Sequence, residues 1–112
     1  MLGEFDLIRR YFTPSTSSHS DAVVTGVGDD CAVLRLPPHH DFAVSVDTQV
    51  SGVHFHPDAD PANVAARALR CAASDLAANG AGPIGFTLAL TLPSVDEMWL
   101  EAFSRGLLKT AQ

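Results

Sequence analysis

The sequence predicts an α+β domain of two layers, a mixed or antiparallel sheet covered by helices. Three observations carry this expectation. From residue 84 to residue 92, Ile84, Phe86, Leu88, Leu90 and Leu92 alternate with Gly85, Thr87, Ala89 and Thr91, the period of two that marks a strand. Between residues 61 and 79 the apolar positions Ala65, Ala68, Leu69, Ala72 and Leu76 recur at three- and four-residue steps, the spacing of one helix face. Residues 31–36 and 42–48 read as further strands. In the second of these, Phe42, Val44 and Val46 fall on one side and Ala43, Ser45 and Asp47 on the other.

Taken in order, the chain opens with a short amphipathic helix over residues 4–12, with Phe5, Ile8, Tyr11 and Phe12 at helical spacing. Thr13-Pro14 ends it, because the residue before proline avoids the helical region. The small, polar run from Thr13 to Ser20 reads as a loop. After the two strands, Asp60 is a good N-cap, Pro61 suits the first helical position, and Asn79-Gly80 supplies a stop. Ser94 and Glu97 stand at capping-box spacing ahead of a last helix through Met98, Trp99, Leu100, Phe103, Leu107 and Leu108. Residues 105–112 carry no clear stop and no closing strand, so the sequence reads as a single domain over 1–112, the front part of a longer protein.

Composition narrows the function classes. The chain has 112 residues, is 46 % hydrophobic and carries a formal net charge of −6. That is a globular composition of one-domain length. The acidic balance argues against nucleic acid, which needs a basic stripe. It leaves small phosphorylated ligands open, since acidic sites hold phosphates through metal ions. Leu76 to Val95 has no charged residue, but Gly80, Gly82, Pro83, Gly85 and Pro93 break it into a helix end, a turn and a strand, so no membrane span is expected. Glu4 and Asp6 stand where a signal peptide would be positive, and Cys31 and Cys71 form neither a disulfide framework nor a zinc spacing. Two partly buried, reduced thiols in a cytoplasmic protein are the expectation.

Four carboxylates stand in contexts that solvent exposure explains poorly. Asp29 and Asp30 follow Gly26-Val27-Gly28, Asp47 sits in a run of Ala, Val, Ser and Thr, and Asp75 sits in an Ala/Leu-rich helix. A buried carboxylate needs a partner, and few cations are near. A divalent cation meets the need: Mg²⁺ takes oxygen ligands, a few carboxylates together with substrate phosphates. Each residue also has a plain structural reading: Asp30 as a turn residue, Asp47 as a strand end, Asp75 as a solvated helix position. Gly26-Val27-Gly28 lacks the third glycine of a dinucleotide fingerprint, and no Gly-Lys-Ser/Thr makes a phosphate loop. His54 and His56 have no further Cys or His at zinc spacing. His54, beside Gly52, is better read as a contact to an anionic ligand.

Several segments together resemble one family. They are Gly3-Glu4-Phe5, the run Gly26-Val27-Gly28-Asp29-Asp30-Cys31-Ala32, Ser45-Val46-Asp47-Thr48, Gly52-Val53-His54-Phe55, the run from Ser74 to Ala81, and the run from Leu88 to Pro93. In order and spacing they are similar to the bacterial thiamine-monophosphate kinases, of the aminoimidazole ribonucleotide synthetase-like superfamily. The resemblance implies an aminoimidazole ribonucleotide synthetase N-terminal-like fold. It implies transfer of the γ-phosphate of ATP to thiamine monophosphate, giving thiamine diphosphate, with several Mg²⁺ ions. Asp30, Asp47, Asp75 and Ser45 match the family's metal ligands, and His54 a contact to the thiamine phosphate. No residue is assigned as a general base, because the acceptor phosphate is already an anionic nucleophile. A homodimer formed through the sheet is also implied.

Two departures stand out. Val46 occupies a position where the family commonly has Thr, and a Gly-Gly-Asp segment and second domain expected after residue 112 are not in the sequence. The isolated chain is therefore expected to have little kinase activity. Two rival readings are a sister enzyme resembling selenophosphate synthetase, which the lack of any Cys before Cys31 weighs against, and a non-catalytic, dimerising metal-binding module.

Overall fold

The structure is a computed structural model and describes residues 3–14 and 21–112. Its elements are α1 (Glu4–Tyr11), β1 (Val23–Thr25), β2 (Val33–Leu34), α2 (Pro61–Ala78) and α3 (Glu97–Thr110). The chain divides into two compact units. One comprises Met1–Phe42 with Ile84–Val95, the other Ala43–Pro83 with Asp96–Gln112.

In the first unit, α1 has Glu4 and Asp6 in its first turn and Arg9 and Arg10 in its last, each opposing the adjacent end of the helix dipole. Tyr11 is buried, but Phe5, expected on the apolar face, is 77 % exposed. Most of the expected loop, residues 15–20, lies outside the described residues. β1 and β2 pair antiparallel, Val23 opposite Leu34 and Thr25 opposite Val33, with an irregularity of register between Val23 and Thr25.

The sheet is smaller than the sequence suggests. The strand expected over 31–36 is reduced to Val33–Leu34, and residues 42–48 and 84–92 belong to no ladder among the described residues. Alternation records which side chains share a face, but a ladder also needs a neighbouring backbone at strand spacing. Residues 84–92 pass beside β2, since a Cβ added at Gly85 would stand 3.9 Å from Leu34 Cδ2. They do not hydrogen-bond to it as a strand. Two of their large side chains accordingly remain open, Phe86 at 47 % and Leu88 at 40 %, while Ile84, Leu90 and Leu92 are half-buried.

The second unit is built on two helices whose ends follow from local chemistry. Asp60 caps α2, its Oδ1 accepting from the Ala62 amide at 3.0 Å, with Pro61 in the first helical position. At the other end, Gly80 N–H donates to Ala77 O and Ala81 N–H to Leu76 O, both at 3.0 Å. That pair of bonds is a Schellman stop, and it requires the left-handed conformation Gly80 adopts at φ 74°.

α3 starts later than the expected capping box. Asp96, not Ser94, is the N-cap, and its Oδ1 accepts from the amides of Met98 at 3.1 Å and Trp99 at 3.2 Å. Glu97 is thereby the first helical residue. One carboxylate meeting two otherwise unsatisfied amides outcompetes a hydroxyl two residues earlier. Asp96→Ala is expected to lower stability by about 1 kcal/mol, read from the urea midpoint, whereas Ser94→Ala leaves the midpoint unchanged.

The core of this unit lies between α2 and α3. Val64 and Ala65 of α2 and Leu100, Phe103 and Leu107 of α3 are buried, Leu100 completely. Trp99 stacks on Phe103 with ring centroids 4.7 Å apart. The buried Ser104 hydroxyl donates back to Glu101 O at 3.2 Å, so no polar atom is stranded there. Gly106 of α3 stands against the start of α2. A Cβ built on it would meet Ala62 O at 2.5 Å and Ala62 Cα at 2.7 Å. The small side chains of α2 and this glycine let the two backbones touch.

Candidate functional site

Ser45 and Asp75 come together in the second unit from positions 30 residues apart in sequence. The Ser45 hydroxyl donates to Asp75 Oδ2 at 3.4 Å. Asp75 lies near the C-terminal end of α2, and Ser45 is half-buried in the extended run that precedes the helix. Asp47 follows two residues after Ser45 and is exposed. Asp30 belongs to the first unit, in the turn after Gly28, where its amide donates to Asp29 Oδ1 at 2.8 Å. That bond explains Asp29 as a turn residue closing on its own backbone.

The premise that these carboxylates are hidden from water is corrected by the structure. Asp29, Asp30, Asp47 and Asp75 are all exposed. No Lys or Arg pairs with any of them among the described residues. Nor do three His, Cys, Asp or Glu side chains stand together there as a metal-holding group. Cys31 is likewise exposed rather than partly buried, while Cys71 is half-buried, and both are free thiols.

The donor set nonetheless suits magnesium. Ser45 and Asp75 present only oxygen atoms, and they already adjoin. Mg²⁺ retains several waters and takes only one or two carboxylates beside substrate phosphates, so it needs no closed cage of side chains.

His54 sits in a tight turn. His54 N–H donates to Val50 O at 2.8 Å, Val53 N–H to Val50 O at 3.1 Å, and Gly52 N–H to Phe55 O at 2.8 Å. Gly52 makes this possible at φ 80°, with no atom near the place a Cβ would take. The Val50 amide in turn donates to His54 Nδ1 at 2.8 Å. His56 is engaged separately, its Nδ1 accepting from the Asp58 amide at 3.0 Å. Both rings therefore engage Nδ1 with a nearby backbone amide.

Sequence reasoning passed over Gln49. Its Oε1 is sealed from solvent with no hydrogen-bond donor against it. It lies between Asp47 and Val50, and nothing in the local pattern distinguishes it from an exposed amide. A shallow depression on α3, lined by Met98, Glu101, Ala102 and Arg105, is formed by adjacent turns of one helix and includes none of the candidate residues. Among the described residues, no helix is long and apolar enough to cross a membrane.

Comparison with known proteins gives this arrangement a context. The chain is 59 % identical over 105 residues to the thiamine-monophosphate kinase of Salmonella typhimurium, covering 94 % of this chain and 32 % of that protein. It is 57 % identical over 105 residues to the Escherichia coli K12 protein of the same name, again covering 94 % of this chain and 32 % of that one. With the Haemophilus influenzae thiamine-monophosphate kinase the identity is 46 % over 109 residues, 97 % of this chain and 33 % of that one. The chain thus spans about a third of the length of these curated relatives. Residues 28–112, which include Asp30, Ser45, Asp47, His54 and Asp75, match the family model for the AIR synthase related protein, N-terminal domain, and the chain belongs to that family.

Proposed function

We propose that this chain is the front domain of a kinase that moves the γ-phosphate of ATP onto thiamine monophosphate, giving thiamine diphosphate. The observation that carries this reading is the 59 % identity to the Salmonella typhimurium thiamine-monophosphate kinase across 94 % of the chain. In this reading Asp30, Asp47, Asp75 and Ser45 would hold Mg²⁺, and His54 would contact the thiamine phosphate.

The chemistry needs little covalent help. Donor and acceptor are both polyanions that repel each other, and phosphoryl transfer depends on alignment and charge neutralisation. Bound Mg²⁺ supplies that neutralisation. The chain's own residues do three things. Their carboxylates recruit the cation, the Ser45 hydroxyl orients the Asp75 carboxylate, and His54 donates to the acceptor phosphate. No side chain need take a proton, because the acceptor oxygen is already charged. A homodimer formed through the sheet belongs to the same proposal. Its support is the large apolar side chains left open in the first unit, Phe42, Phe86 and Leu88.

Calorimetry of the chain with Mg²⁺ and thiamine monophosphate tests the reading. Thiamine monophosphate is expected to bind in a magnesium-dependent manner. Binding of the metal with no binding of thiamine monophosphate would overturn it and favour a non-catalytic metal-binding module.

A further inference from the structure

We propose that Val50 and Gly52 are positioning residues that hold the His54 ring as its Nε2–H tautomer. In that tautomer the ring offers a phosphate oxygen one hydrogen bond from Nε2. The inference rests on the assignment of His54 to the thiamine phosphate and adds the chemical state in which it acts.

The tautomer follows from what each partner is able to do. A backbone N–H only donates, so the nitrogen that receives the Val50 amide at 2.8 Å presents a lone pair. That nitrogen is Nδ1. A neutral imidazole has a single N–H, which therefore lies on Nε2. The turn makes the bond reciprocal, since Val50 O accepts from His54 N–H at 2.8 Å. Gly52 closes it at φ 80° through its own amide to Phe55 O. The imidazole is exposed, so Nε2–H is open to a ligand.

His40 supplies a contrast within the same chain. Its Nδ1 stands 2.8 Å from Pro38 O. A carbonyl only accepts, so this Nδ1 carries the hydrogen and His40 takes the opposite tautomer when neutral. The two rings differ through backbone geometry, not through the residue type.

A donor held in one place suits the role. A ring fixed in one tautomer needs no reorganisation when the ligand arrives.

The test is nitrogen-15 NMR of the histidine-labelled chain, followed by titration with inorganic phosphate and then with thiamine monophosphate in the presence of Mg²⁺. His54 is expected to show a bare Nδ1 and a protonated Nε2, with His40 reversed. Thiamine monophosphate is expected to move the His54 Nε2 signal. His54→Asn keeps an acceptor for the Val50 amide and loses the outward donor, so its Kd is expected to rise about tenfold with the amide signals of residues 50–55 in place. His54→Gln places an amide donor near the lost Nε2–H but offers the Val50 amide no acceptor, so it is expected to restore only part of the affinity. A protonated Nδ1 on His54 overturns the proposal whatever the chain phosphorylates. An Nε2 signal that thiamine monophosphate binding leaves unmoved removes the donor role, while turnover of the complete enzyme judges the kinase reading separately.

Discussion

Gly106→Val is expected to destroy the packed α2–α3 pair. A Cβ at this position would lie 2.5 Å from Ala62 O, 2.7 Å from Ala62 Cα and 3.0 Å from Ala62 C. All three are backbone atoms of the facing helix, so no rotamer change relieves the overlap. The helices must separate instead, which uncovers Leu100, Phe103 and Leu107 together. Overpacking that side chains absorb costs about 1–3 kcal/mol. Here the backbone must yield, and the expected loss is at the top of that range or beyond, a large share of the stability of a small domain. The better helix propensity of valine recovers only about half a kcal/mol. Urea unfolding followed by circular dichroism measures the effect. A midpoint within experimental scatter of the parent would mean that the two backbones do not touch at Ala62. Gly106→Ala is expected to behave similarly, because the first added carbon already makes the clash.

The second large effect concerns the proposed cation. Asp75→Asn is expected to weaken Mg²⁺ binding about thirtyfold. Asparagine keeps an oxygen that accepts from the Ser45 hydroxyl, so the Ser45–Asp75 pairing is conserved while one negative charge is lost. Because Asp75 is exposed, the high-dielectric limit applies. A dication facing a unit charge at ~4 Å is then worth about 2 kcal/mol, which is about thirtyfold in affinity. Magnesium titration of parent and variant at fixed ionic strength measures it. An unchanged affinity would remove Asp75 from the metal set, and a Ser45→Ala variant would show whether the hydroxyl contributes on its own.

The helices were legible in the sequence because their ends are local events. Asp60-Pro61 and Asn79-Gly80 each satisfy a helix end with groups one to four residues away, and the structure starts and stops α2 there. The start of α3 was harder, since Ser94 and Asp96 both offer a capping oxygen and the competition is settled by reach. The sheet was legible only as a pattern. Ile84 to Leu92 alternate as a strand must, yet pairing depends on a second backbone that the pattern does not specify.

The candidate site divides in the same way. Asp47 and Asp75 stood out in runs of small and apolar residues and Asp30 after Gly26-Val27-Gly28, but the burial inferred for them did not hold, as each is exposed. Apolar sequence context implies shelter only when another element covers it. Gly52 drew attention to His54 as a ligand contact, but the turn that this glycine closes at φ 80° was not read from the sequence. The bond from the Val50 amide to the ring was invisible, because it depends on how the turn closes rather than on which residues form it.

The alternating run from Ile84 to Leu92 has a consequence for the molecule in bulk. Apolar side chains on an extended segment with no ladder partner among the described residues make a template on which another copy can add by main-chain pairing. What opposes such accretion at neutral pH is mutual repulsion between molecules of net charge −6. That repulsion fades toward the isoelectric point of about 5.1 that the composition implies, so mild acidification is expected to turn the same segment from a latent edge into a seed for precipitation.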